Sequence, residues 1–234
     1  MKQLIFTVIF IFSAFIFSVS AQSTLTKQNF ESGVKLANKG KFETALPHFQ
    51  TSLEGAQSEP ENKNFLAKIH FNIGVCLYQL KNQAKAVVEF ERAIGFNPKY
   101  EKAFYALGMA QFELKNTDES ERAFLNALHL NKQNGETWFD LAFVYLFKRD
   151  YSSAKGAFEN SIEFETVSAA IGRNNLGVIF ALGGDFASAI KQFEQAIYES
   201  NGQLKVSKRN LQFCKTYQQN SGKDLIAKLE FGKN

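Results

Sequence analysis

Residues 135–168 read GETWFDLAFVYLFKRDYSSAKGAFENSIEFETVS, and two apolar periods share these 34 positions. Trp138, Leu141, Ala142 and Tyr145 recur at three-to-four spacing, Lys148-Arg149-Asp150 interrupts them, and Ala154, Phe158 and Ser161 resume the period. Side chains three or four apart share one face of an α-helix, so the spacing predicts two amphipathic helices of about 12–15 residues joined by a short turn. Such a hairpin cannot bury its apolar faces alone.

The same pattern recurs on both sides of it. A small residue stands at Gly33, Gly74, Gly108, Ala142 and Gly177, with spacings of 41, 34, 34 and 35. Phe49, Phe90, Phe124, Phe158 and Phe193 repeat those four spacings, and Ala45, Ala86, Ser120, Ala154 and Ala189 precede them by one turn. Columns that move in step mean one duplicated unit, with insertions after the first and fourth copies. The small residues are expected to let the helices of a hairpin approach closely, and the phenylalanines to fill space between hairpins. The breaks carry turn residues, with Asn82, Asn116, Asp150 and Asp185 placed to cap the second helices. Pro98 stands where a second helix should stop, whereas Pro47 lies early inside one and is expected to delay or kink it.

The order Trp-x2-Leu-Gly-x2-Tyr, Ala-x3-Phe, Pro within 34 residues resembles the tetratricopeptide repeat. Residues 135–168 carry Trp138, Leu141, Ala142, Tyr145, Ala154 and Phe158. Residues 67–100 carry Ile73, Gly74, Ala86, Phe90, Ala93 and Pro98, with His70 in the tryptophan position. Residues 170–203 carry Leu176, Gly177, Phe180, Ala189, Phe193 and Ala196. Residues 101–134 and 26–59 are looser, with Gln111 for the tyrosine and Ser32 for the leucine. The resemblance implies an all-α fold, a right-handed α-solenoid of stacked antiparallel hairpins, with five repeats over residues 22–203. Residues 204–219 keep the register through Leu204, Leu211, Cys214 and Tyr217, but Leu211 fills the glycine position. Residues 204–234 are therefore expected to form a capping helix, a short helical partner over Asp224–Phe231, and a basic tail.

Met1–Ala21 reads MKQLIFTVIFIFSAFIFSVSA, with one lysine, an apolar run over Leu4–Val19 and small residues at its end. These are the marks of a secretory signal cleaved after Ala21. A retained anchor is the rival reading, and the 16-residue run is short of the roughly 20 apolar residues a bilayer core needs. The expected location is outside the cytoplasm: a Gram-negative-type periplasm, or secretion. The chain has no Asn-x-Ser/Thr sequon, which favours the bacterial route.

Composition excludes several classes. With 45% hydrophobic and 21% charged residues the chain can bury a core, and three prolines and two cysteines exclude collagen-like and disulfide-framework proteins. The net charge of +4 is carried by the end of the chain: residues 204–234 hold seven basic and two acidic residues. A near-neutral body excludes a general nucleic-acid binder. The basic tail reads as a solvated helix, the other reading being weak contact with an acidic partner or anionic lipid. His48, His70 and His129 fall at unrelated positions, and no His/Cys/Asp/Glu set has metal-ligand spacing. No catalytic set, phosphate loop or cofactor motif is visible, so no enzyme activity, metal or cofactor is expected. Cys76 and Cys214 are expected to be free buried thiols.

The chain holds 25 phenylalanines, five of them in residues 1–21. The family geometry implies that first helices line a concave groove, whose column one residue past the small position is Val34, Val75, Met109, Phe143 and Val178. Flanking columns bring Phe71, Tyr78, Tyr105, Phe112, Phe139 and Leu146, and Phe147 adds to the middle. The candidate partner-binding groove is therefore Phe71, Val75, Tyr78, Tyr105, Met109, Phe112, Phe139, Phe143, Leu146 and Phe147. The blander reading has the flanking aromatics packing on one another as core. Lys68, Asn72, Lys102, Asp140, Asn174 and Asn175 are the polar groups of that face. The Lys and Asn of the family's carboxylate clamp are replaced by Phe30 and Val34, or Phe71 and Val75, so an acidic peptide terminus is not the expected ligand. The expected partner is another protein, presenting a peptide or amphipathic helix to an exported adaptor. The alternative is a periplasmic carrier or holdase for a lipid or unfolded chain.

Overall fold

The computed structural model describes residues 24–56, 62–164, 169–220, 229, 231 and 232. Residues 1–21, read above as an export signal, and residues 57–61, which include Pro60, lie outside the described residues. The chain divides into two compact units, Met1–Lys115 and Asn116–Asn234.

Leu229, Phe231 and Gly232 apart, the described residues form helices and the connections between them, and none of the described residues is in a strand. In the first unit these are α1 (residues 24–37), α2 (Phe42–Ala56), α3 (Lys63–Gln79), α4 (Gln83–Phe96) and α5 (Glu101–Glu113). The second holds α6 (Thr117–Leu130), α7 (Gly135–Phe147), α8 (Tyr151–Glu163), α9 (Ala169–Leu182), α10 (Phe186–Glu199) and α11 (Lys205–Asn220). Within the units α1 pairs with α2, α3 with α4, α7 with α8 and α9 with α10, and α11 packs on α10 and α9.

The two columns read from the sequence move in step because they touch. A Cβ on Gly33 would stand 2.8 Å from Cε1 of Phe49, and one on Gly177 would stand 2.6 Å from Cε1 of Phe193. The ring thus lies on the glycine of its own hairpin, where the spacing had predicted filler between hairpins. Phe49, Phe90, Phe124, Phe158 and Phe193 are all buried, as are Ala45, Ala86, Ser120, Ala154 and Ala189. A third buried column of small residues, Ser52, Ala93, Ala127, Ser161 and Ala196, follows at the same spacing.

The hairpin turns repeat as strictly. Gly40, Lys81, Lys115, Arg149 and Gly184 all take positive φ, between 60° and 84°. In the second copy Lys81 N–H donates to Tyr78 O and Asn82 N–H to Leu77 O, a Schellman closure of α3; Arg149-Asp150 and Gly184-Asp185 close α7 and α9 alike. Asp150 and Asp185 then accept from the N–H of Ser153 and Ser188, capping α8 and α10. Asn82 and Asn116 stand at the same position without a side-chain cap, so that expectation holds only for the aspartates. Pro47 does not delay its helix: α2 begins five residues earlier, at Phe42, and runs through it. Leu229, Phe231 and Gly232 are not helical, which corrects the helical partner expected over Asp224–Phe231; Asp224 itself lies outside the described residues.

Candidate functional site: the first-helix faces

In the first unit the face holds α1, α3 and α5. Phe30 packs edge-on against Phe49 and Phe65, with ring centroids 5.7 and 5.2 Å apart. Phe71 lies 6.0 Å from Phe90 and 5.0 Å from Tyr100. Phe71, Val75 and Tyr78 are half-buried against the cluster of Ala86, Phe90 and Ala110. The Tyr78 hydroxyl donates to Glu113 Oε1 at 2.6 Å, and Gln83 Nε2 to Glu113 Oε2 at 2.6 Å. With Tyr78 as the main cause, Glu113 is held below the ordinary carboxylate range. Tyr105, Met109 and Phe112 of α5 are half-buried. An open hollow of about 450 Å³ lies against α1, lined by Phe30, Glu31, Val34, Lys35, Asn38 and Lys39.

In the second unit Phe139 is only 4% exposed. It meets Phe143 and Phe158 edge-on at 5.2 and 5.7 Å, and Phe143 meets Phe158 at 5.6 Å. Phe139 therefore supports the face from beneath, Phe143 and Leu146 are half-buried, and Phe147 is 59% exposed. Phe71 and Phe139 rest on the phenylalanine column of the second helices, in line with the blander reading. The helical period alone does not separate a side chain that packs on the second helix from one that faces outward.

The α9 end of this face is covered. Asn175 Nδ2 donates to the carbonyl of Gly232 at 2.9 Å, and the Gly232 N–H donates to Asn175 Oδ1 at 2.6 Å. Asn174 Nδ2 donates to the same Asn175 Oδ1 at 3.2 Å, while Asn174 Oδ1 accepts from Ser207 Oγ and Asn210 Nδ2 at 3.0 Å each. All four of these polar side chains are fully buried. Phe231 packs against both clusters of the unit, the one built on Phe139, Ala142 and Phe158 and the one built on Val178, Phe193 and Cys214; Leu229 packs against the latter. Val178 is 1% exposed, whereas Val34, Val75, Met109 and Phe143, at the same repeat position, remain half-buried. Asn174 and Asn175 stood out in the sequence only as polar groups of the face. The available signal for their occupant was the two-residue spacing of Leu229 and Phe231, which suits an extended strand and not a helix.

Among the described residues no group of three or more His, Cys, Asp or Glu side chains could hold a metal ion. His70 is buried, its Nδ1 2.6 Å from Glu89 Oε2 and its ring stacked on Phe96. Cys76 and Cys214 are free and buried, and burial pushes both thiols up to about 11. No described helix is long and apolar enough to cross a membrane.

Comparison with known proteins follows the same lines. Two descriptions of the tetratricopeptide repeat match the chain, one over residues 139–203 and one over residues 67–100 and 101–134. No curated protein matches by sequence. Among solved structures, a crystal structure of MamA is 20% identical, covering 74% of this chain and 96% of its own, with a TM-score of 0.65. MamA from Desulfovibrio magneticus RS-1, from residue 41 to its end, is 14% identical over 77% of this chain and 97% of its own, TM-score 0.67. YrrB, described as a TPR protein with an unusual peptide-binding site, is 20% identical over 72% of this chain and 83% of its own, TM-score 0.60.

Proposed function

The chain belongs to the tetratricopeptide repeat family, a protein-interaction scaffold, and we propose that it is a non-enzymatic adaptor of the cell envelope that holds an apolar partner segment on its first-helix faces. One observation carries this reading. At the position one past the small residue, Val34, Val75, Met109 and Phe143 keep apolar surface exposed, and Phe147 adds a ring that is 59% exposed. At Val178, in the cluster on which α11 and Phe231 both pack, the exposure falls to 1%. The face is built to be covered, since exposing apolar surface costs about 25 cal/mol for each Å².

The partner is a polypeptide, and the peptide-binding description of the similar YrrB supports that class. The envelope location rests on the signal-like Met1–Ala21. Placing a photocrosslinking amino acid at Phe147 in intact cells, followed by mass spectrometry, should recover one partner segment. Phe143→Glu should abolish that crosslink without loss of helicity; an unchanged crosslink would remove the face from the account. The open hollow beside Phe30 and Val34 favours the carrier reading as the alternative, which requires co-purified lipid.

A further inference from the structure

We infer that the α9 face of the second unit is a reading site for an extended peptide carrying an aromatic residue followed by glycine, and that the chain's own Phe231-Gly232 is its resident ligand. A partner peptide must displace that ligand to bind. The functional meaning rests on the scaffold reading above, while the geometry belongs to the second unit alone.

The first element is the carboxamide of Asn175. It pairs with both the N–H and the C=O of one residue, Gly232, as two facing residues do in an antiparallel ladder. Among short side chains only Asn offers a donor and an acceptor side by side, and the pairing reads backbone in extended form whatever its side chains. The second element is how that carboxamide is aimed. Ser207 and Asn210 both donate to Asn174 Oδ1, which leaves the Asn174 amide to donate to Asn175 Oδ1 and turns the Asn175 amide toward the peptide carbonyl. A group fixed by buried partners loses little freedom when its ligand arrives.

Specificity comes from the two side-chain positions. Phe231 packs against both apolar clusters of the unit and is the anchor. A Cβ on residue 232 would stand 2.9 Å from Cγ2 of Ile171, so a larger residue there must push Ile171 aside to make both hydrogen bonds. Aromatic then glycine is the smallest sequence that fills the site. Eight residues separate Asn220, the end of α11, from Leu229. A tether that short gives a local concentration on the order of millimolar, so a free peptide of moderate affinity competes poorly with the tail.

The test uses the full-length protein and a fluorescent peptide of residues 226–234, IAKLEFGKN, followed by anisotropy. Gly232→Val in the protein should expel the tail and raise peptide affinity at least tenfold over the native chain. Adding Asn175→Asp, which removes the donor to the peptide carbonyl, should reverse that gain. Peptides carrying Phe231→Ser or Gly232→Val should not bind, and these arms leave the protein's folding untouched. Equal affinity of the native and Gly232→Val chains overturns the inference, as does undiminished binding of the altered peptides. Dimers that dissolve on Gly232→Val would place the tail on a neighbouring copy and overturn it as well. If the peptide fails while Phe143→Glu still loses the partner crosslink, the inference falls and the scaffold reading stands. If the peptide binds as expected while Phe143→Glu keeps the crosslink, the reading site stands and the exposed face loses its role.

Discussion

The ring of Phe90 occupies the space that a side chain on Gly74 would need: a Cβ there would lie 2.6 Å from Cε1 and 2.7 Å from Cδ1. Gly74 is thus a packing surface for its own hairpin. Gly74→Ala should lower the urea midpoint, because overpacking costs about 1–3 kcal/mol while the gain in helix propensity returns only about 1. At the equivalent position Ala142 is native and shares a cluster with Phe158, whose ring is braced by Phe139 and Phe143. Ala142→Gly should therefore also destabilise, by about 1 kcal/mol. A gain in either variant would contradict the contact.

Truncating the ring itself should be costlier. Phe193 is fully buried against Gly177. Phe193→Ala is expected to cost about 3–5 kcal/mol, through lost burial and the cavity left behind. Hydrogen exchange should show lost protection concentrated in α9 and α10, since stability in stacked hairpins is largely a nearest-neighbour sum. Uniform loss across both units would argue against that.

The turn column predicts a gain. Lys115 takes φ 63° at an exposed position where the first and last repeats use Gly40 and Gly184. An L side chain in the left-handed region costs about 1 kcal/mol that glycine avoids. Lys115→Gly should raise the thermal midpoint, and Gly184→Ala should lower it. Calorimetry of the two variants checks both signs.

Acid should weaken the fold. Glu113 is held low first by the Tyr78 hydroxyl, Asp118 by Lys148, Asp150 by the Ser153 hydroxyl and Asp185 by the Ser188 N–H. Their folded values lie below the ordinary 4.5 for Glu and 3.8 for Asp, so the unfolded chain binds protons first as pH falls. Their contribution is complete above those ordinary values and disappears as pH drops through the lowered folded ones. Thermal midpoints should be level from pH 7 to about 5 and fall below it, and Tyr78→Phe should reduce the slope.

The hairpins were legible in the sequence because the two columns are the two halves of one contact, made again in the first, second and fifth repeats. Gly33 with Phe49, Gly74 with Phe90 and Gly177 with Phe193 carry their register into the spacing itself. The candidate site was legible only in outline. Phe71 and Phe139 share the period of the face yet rest on Phe90 and Phe158, and nothing in a three-to-four pattern distinguishes the two directions. Asn175 finds its partner 57 residues away, across a segment with no repeat register to align it. The aspartate caps were readable from residue type, whereas Asn82 and Asn116 show that a capping residue in the right place does not guarantee the bond.

The two buried thiols have a practical consequence. With values near 11, Cys76 and Cys214 are thiolate in only about one molecule in ten thousand at pH 7. They neither invite mixed disulfides in an oxidising compartment nor react readily with maleimides. A cysteine introduced at an exposed position such as Phe147 or Lys115 would be the one exposed thiol beside two buried ones. The native protein is thus a silent background for single-site labelling, and dyes or spin labels can be attached without first removing either thiol.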